Sequence, residues 1–247
     1  MLIAHPLLLQ PVLNRALVLV CEHAPGSHSL GFVLNAPTGQ RLRELLTGEA
    51  FVSHAYLKPF ADAPVYKGGD VGEGTLFLLH RVPGLRGSVA LGAGGDGGDG
   101  DGDGAGAPLF WSHDFEAAAD AIGWGRASTS DFRVVLGYSG WGAQQLEGEV
   151  ERVGSWFVAR GERAVAELAL GDTCARAAEG EAACSSAWSA ALTALGGEHA
   201  RLSRIVQCDE RSEDEVVQEL QQRALGPLPL SLLGANAESE DLVGAGR

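Results

Sequence analysis

A chain of 247 residues with 45% apolar side chains is long enough to bury a core and too hydrophobic to be a disordered segment. Its formal net charge of −14 argues against nucleic acid as a partner, since phosphate-backbone binding relies on counterion release by Lys and Arg, and no Lys/Arg run is present. No stretch approaches the roughly 18 consecutive apolar residues of a membrane span, and no cationic leader precedes Leu2, so a soluble intracellular protein is expected.

Residues 2–13 (LIAHPLLLQPVL) are apolar and broken by Pro6 and Pro11, which suits a short edge strand and a turn. Residues 16–21 (ALVLVC) read as a buried strand continued by His23, and residues 31–35 (GFVLN) as its hairpin partner, ended by Pro37. Residues 40–47 fit a short helix. Residues 65–67 reach an expected turn at Gly68-Gly69-Asp70, followed by a buried strand over 76–80 (LFLLH) and another beginning at 88–91 (SVAL).

Residues 92–106 are almost all glycine and aspartate and read as a low-complexity insertion. Gly92, Gly94 and Gly97 match a dinucleotide fingerprint, but no helix follows. Asp99, Asp101 and Asp103 match half of a calcium loop whose twelfth position, needed as glutamate, is Phe110. Neither match predicts a ligand.

Asp114 caps an expected helix over 114–122. The stretch 131–159 then concentrates aromatic, amide and carboxylate side chains. It predicts a strand over 132–138, a tight turn marked by Gly137, Gly140 and Gly142, a helix over 143–153 stopped by Gly154, and an extended run to Ala159. Residues 162–170 also look helical, and 171–183 read as a polar connection. A helix over 186–195 places Trp188, Leu192 and Leu195 on one side, with Gly196-Gly197 as its stop, and a polar helix over 212–225 precedes a weakly patterned tail.

Several motifs stand in one order: C-E-H at 21–23, G-F-V-L-N-A-P at 31–37, V-Y-K-G-G-D-V at 65–71, L-L-H at 78–80, L-G-Y-S-G-W-G-A-Q-Q-L-E-G-E-V at 136–150 and G-S-W at 154–156. This ordered set resembles the AlgH/YqgE-like family, over about residues 2–206. The resemblance implies an α+β fold, a mixed barrel-like sheet flanked by helices in a single domain over 1–206, with 207–247 as a helical or disordered extension. Members of that family carry the label of transcriptional regulators, without established biochemistry. The glycine-aspartate insertion and the Gly69-Asp70-Val71 sequence depart from the family pattern. Leu109-Phe110-Trp111 and Asp114-Phe115 resemble the plant-type members, which implies a chloroplast location.

Two constellations are candidate sites. Cys21 and His23 lie two apart on a strand and share a face, which would allow a thiol-based redox sensor or an enzyme; a buried cysteine beside a hydrogen-bonded histidine is the structural alternative. Tyr138, Trp141, Gln145 and Glu149, with Asn35, form the candidate binding set, where a glycine turn and aromatic walls could receive an unidentified protein or a small anionic ligand. The alternative is a structural corner, with Gln145 and Glu149 tying down loops. His23, His80 and His113 lack ligand spacing, so no metal is expected, and no cofactor is expected either. The four cysteines, Cys21, Cys174, Cys184 and Cys208, fit free thiols; Cys174 and Cys184 alone are near enough for a local disulfide. The leading reading is a non-enzymatic binding or regulatory module.

Overall fold

Among the described residues, short runs of β-branched and aromatic residues build ten strands into one sheet. The computed structural model describes residues 1–24, 26–91, 108–159, 169–170 and 181–207, all within one unit, Met1–Cys208. The strands are β1 (Leu2–Ala4), β2 (Leu17–His23), β3 (Ser29–Val33), β4 (Pro37–Arg41), β5 (Pro64–Lys67), β6 (Val71–His80), β7 (Val89–Leu91), β8 (Leu109–Ser112), β9 (Phe132–Trp141) and β10 (Trp156–Val158). Their order is β10-β1-β2-β3-β9-β6-β8-β7, with β5 joined to β9 and to β4. Every pairing is antiparallel except β5 with β9, which makes the sheet mixed. It curls like part of a barrel, and among the described strands β10, β7 and β4 are the outer ones.

The helices are α1 (Leu42–Leu45), α2 (Gly48–Ser53), α3 (Phe115–Gly123), α4 (Gln145–Gly148), α5 (Glu181–Leu195) and α6 (Gly197–Gln207). Asp114 caps α3 by accepting from the Ala117 N–H at 2.9 Å. One face of α3 packs Phe115, Ala118 and Ala121 against Phe60, Leu78, Phe132 and Val134. Elsewhere α5 sets Trp188 and Leu192 on Ile3 and Leu17, and the Trp188 indole donates to the Ala4 carbonyl at 2.8 Å. The fold is therefore α+β, a mixed barrel-like sheet flanked by helices. Among the described residues no helix is long and apolar enough to cross a membrane.

The strand β9 holds the sheet together. Along one edge it pairs first with β5 (Val65↔Val134 to Lys67↔Leu136) and then with β3 (Ser29↔Trp141 to Gly31↔Ser139), while β6 runs along the other edge. Gly137, with φ of +70°, switches its faces. Before it, Val134 and Leu136 point into the cluster around Phe60; beyond it, Tyr138 joins Val135 in the cluster around Phe32. Residues of opposite parity thus share a side, which strict alternation forbids.

Gly68 and Gly69 cross directly beneath this switch. A Cβ on Gly69 would sit 2.2 Å from the Tyr138 carbonyl, and one on Gly68 would sit 2.3 Å from the Gly137 oxygen. The Gly68 carbonyl accepts from the Val33 N–H at 2.8 Å and the Ser139 hydroxyl at 3.1 Å, so the crossing also stitches β3 to β9.

Several expectations are corrected. The strand β1 is not an edge, because β2 and β10 flank it. Gly68-Gly69 is a backbone crossing and not a turn, and Pro37 opens β4 where it was expected only to end a strand. The glycines at 137 and 140 lie within β9, which continues to Trp141, and α4 starts at Gln145, beyond the expected Ala143. Its second half is a π-helical turn, Glu149–Val153. Gly154 does stop it, as expected, and does so in the left-handed conformation. On α5, Trp188 and Leu192 are buried but Leu195 is exposed. The insertion at 92–106, most of 162–183, the helix over 212–225 and nearly all of the 207–247 extension lie outside the described residues.

Candidate functional site

The residues of the 131–159 stretch meet at one carboxylate. Gln145 and Glu149 lie one helical turn apart, and the Gln145 Nε2 donates to Glu149 Oε1 at 2.8 Å. The other oxygen, Oε2, accepts from two indoles, Trp141 Nε1 at 3.0 Å and Trp156 Nε1 at 2.8 Å. The two indole rings meet edge to face, 6.1 Å apart at 77°. Gln145 Oε1 in turn accepts from the Gly142 N–H at 2.9 Å, and the Glu149 carbonyl accepts from the Ser155 N–H at 2.9 Å. A single side chain therefore clasps β9, α4 and β10 together.

This geometry changes the role expected for the set. Trp141 is 4% exposed, so it is a core residue and not a wall open to ligand. Tyr138 is half-buried and meets Phe77 edge to face, with its ring against Gly72 and Gly140. Asn35 is buried, and its amide works at long range: Oδ1 accepts from the Leu17 N–H at 2.8 Å and Nδ2 donates to the Arg15 carbonyl at 2.9 Å. Trp141, Gln145 and Glu149 come together; Asn35 holds the approach to β2. What remains on the surface is the segment Gly142–Gln144, all exposed, with Gln144 left-handed at φ of +62°.

Cys21 and His23 are not joined. The register of β2 shifts between Val20 and Glu22, at Cys21. The Cys21 thiol donates to the Leu19 carbonyl at 3.5 Å, and burial, with a smaller contribution from the Glu22 carboxylate, pushes it above the usual thiol range. His23 Nδ1 shares a 2.9 Å hydrogen bond with the Ser29 hydroxyl. This is a protonated thiol beside an independently bonded histidine, a poor arrangement for a nucleophile.

Both ring nitrogens of His80 are hydrogen-bonded. Its Nδ1 accepts from the Val82 N–H at 3.2 Å, which leaves Nε2 to donate to the Ser88 hydroxyl at 2.9 Å, and the ring stacks on Phe110. Among the described residues no group of three or more His, Cys, Asp or Glu side chains could hold a metal ion.

Three features escaped the sequence. Trp156 is the second indole on Glu149, named in the sequence only as part of G-S-W. Glu147 accepts from the Gly26 N–H at 3.2 Å and so tethers the β2–β3 loop to α4; hydrogen bonds from its own N–H and from Gly26 hold its carboxyl below the usual range. The third is a cleft of about 500 Å³ at the opposite end of β9, where Tyr66, Thr129, Ser130 and Arg133 come together between Pro59 and Pro64. The Arg133 guanidinium lies 4.1 Å over the Tyr66 ring and donates to the Leu34 carbonyl at 2.9 Å. An arginine inside the run Phe132-Arg133-Val134-Val135 was the available signal, because a charge on a buried strand requires partners.

Comparison with known proteins places this chain in a family. The model of the AlgH-like family matches residues 1–200. A UPF0301 protein of Chlorobium luteolum is 34% identical over 159 residues, covering 64% of this chain and 71% of the relative. One from Chlorobium phaeobacteroides is 31% identical over 199 residues, covering 81% and 87%. The solution structure of AlgH from Pseudomonas aeruginosa is similar at 25% identity and a TM-score of 0.46, covering 72% of this chain and 87% of that one. With a family model that spans four-fifths of its length, the chain belongs to the AlgH-like family.

Proposed function

We propose that the chain is a non-enzymatic binding module whose clasp presents the exposed Gly142–Gln144 segment to a protein partner. The observation that carries this reading is Gln144. A residue with a Cβ pays roughly 1 kcal/mol or more to stay left-handed, and such residues persist where their surroundings over-determine them and cluster at functional positions. The surroundings here do so: Gln145 fixes the Gly142 N–H, Glu149 fixes Gln145, and two buried indoles fix Glu149. A surface segment held this rigidly loses little conformational entropy when a partner docks.

Less supports the redox reading, since Cys21 is held protonated and does not bond His23. Direct DNA binding, the activity implied by the family's regulator label, is opposed by the net charge of −14.

A photo-crosslinking residue at position 144, in extract of the native cells, tests the proposal against the same probe at Glu116, an exposed site on α3. A discrete adduct from position 144 and none from 116 is expected. No adduct, or the same adducts from both positions, would overturn the reading.

A further inference from the structure

We propose that the C-terminal end of α3 is a self-association surface, where a second copy of this chain docks through Trp124 about a two-fold axis. This surface does not depend on the Gly142–Gln144 segment, and either can fail without the other.

Bulky aromatic side chains are ordinarily withdrawn from water, yet Trp124 is 69% exposed. Its position is fixed by the way α3 ends. Gly125 is left-handed, with φ of +67°, and two bonds close the turn: the Gly125 N–H donates to the Ile122 carbonyl at 3.0 Å and the Arg126 N–H to the Ala121 carbonyl at 2.9 Å. Trp124 and Arg126 therefore leave from a backbone that is already ordered, and the Arg126 guanidinium lies 4.7 Å over the indole. Among the described residues nothing lies within 4 Å of a Cβ placed on Gly123 or Gly125, so the approach to the indole is open on both sides. A partner docked here covers the indole with little loss of conformational freedom, and Trp and Arg are the residue types that most often dominate such contacts.

Charge selects the occupant. Asp120 and Arg126 are both exposed; Asp120 lies one helical turn before Trp124, and Arg126 two residues beyond it. Opposite charges thus flank one indole. Rotated by half a turn about Trp124, the surface complements itself, with Arg126 facing the partner's Asp120 and Asp120 facing the partner's Arg126, the self-matching that a two-fold interface requires. The net charge of −14 opposes this only weakly at physiological salt, where the screening length is about 8 Å and the nearby charges decide. One indole per copy makes a small interface, so pairing belongs to concentrated protein and not to a dilute cell extract, where a probe at Glu116 stays silent.

The test is sedimentation equilibrium of the full chain at physiological salt, with loading raised to about 0.5 mM to suit so small an interface. The mass is expected to rise toward that of two chains. Trp124→Ser should weaken pairing at least about tenfold at an unchanged unfolding midpoint, since the position is exposed. Asp120→Arg and Arg126→Glu should each stay monomeric alone, because each sets like charges face to face, and should pair when mixed, because each supplies the sign that the other lost. The mixture decides even where Trp124→Ser lowers the midpoint. A chain that stays monomeric throughout would overturn the proposal. So would pairing undiminished by Trp124→Ser, or a mixture of the two charge variants that fails to pair.

Discussion

Replacing Glu149 tests whether the clasp holds the corner or merely decorates it. Glu149→Ala removes the acceptor of three hydrogen bonds at once, from Gln145, Trp141 and Trp156. Each bond to a charged acceptor contributes about 1.5–3 kcal/mol, and each buried donor left without a partner costs about 1–3 kcal/mol. Both indoles are nearly inaccessible, at 4% and 3% exposure, so water cannot readily replace the carboxylate there. Glu149 and Gln145 are less buried, which lowers their share, and the expected total is about 3 kcal/mol. Glu149→Gln keeps one oxygen that both indoles can reach but loses the charge and the second oxygen that accepts from Gln145, so about 2 kcal/mol is expected. Urea unfolding followed by tryptophan fluorescence measures both. A double-mutant cycle between Glu149→Ala and Trp141→Phe, which keeps a ring and deletes the donor, should show a coupling of about 1–2 kcal/mol. If Glu149→Ala costs less than about 0.5 kcal/mol, the value of an ordinary surface change, the clasp is not structural and the argument for Gln144 falls with it.

The remaining predictions concern other parts of the fold. Gly69→Ala places a Cβ against the backbone of β9, 2.2 Å from Tyr138, and should abolish folding, whereas Gly74→Ala meets nothing within 4 Å and should be neutral; a soluble, cooperatively unfolding Gly69→Ala protein would refute the crossing. His5 and His80 are both lowered by burial from 6.5 to about 4, so they are neutral in the fold at pH values where the unfolded chain protonates them. Their contribution to stability is complete above about pH 6.5 and is lost as pH falls toward 4, and NMR titration of the two rings should show neither one charging near pH 6.5. With Cys174, Cys184 and Cys208 changed to Ser, native Cys21 should react with a thiol reagent at neutral pH more slowly than in urea; equal or faster labelling would revive the redox reading.

What was legible in the sequence followed local chemistry. The content of residues 16–21, 76–80 and 132–138 announced strands, Asp114 announced a cap, and Gly154 a stop, because each is decided by neighbours in the chain. The misreadings have a common cause. Glycine looks the same in a turn, in a face switch such as Gly137, and in a close crossing such as Gly68-Gly69; only the strand lying against it distinguishes them. Trp141 was correctly placed beside Gln145 and Glu149, but its depth depends on Trp156, which arrives from β10. The cleft was invisible for the same reason, since Tyr66 and Arg133 are brought together by a parallel pairing that no local pattern announces.

The central place of β9 bears on how the chain reaches this structure during synthesis. Its partners β3, β5 and β6 all leave the ribosome before it, separated from it by about 50 to 110 residues of chain. Among the described strands β6 bonds only to β8 and β9, so the apolar run Leu76–His80 has no neighbour until residue 109 and is bordered on both edges only after residue 132. A nascent chain halted before β9 therefore exposes an unpaired hydrophobic edge for the whole interval, the condition under which chaperones are recruited and aggregation begins.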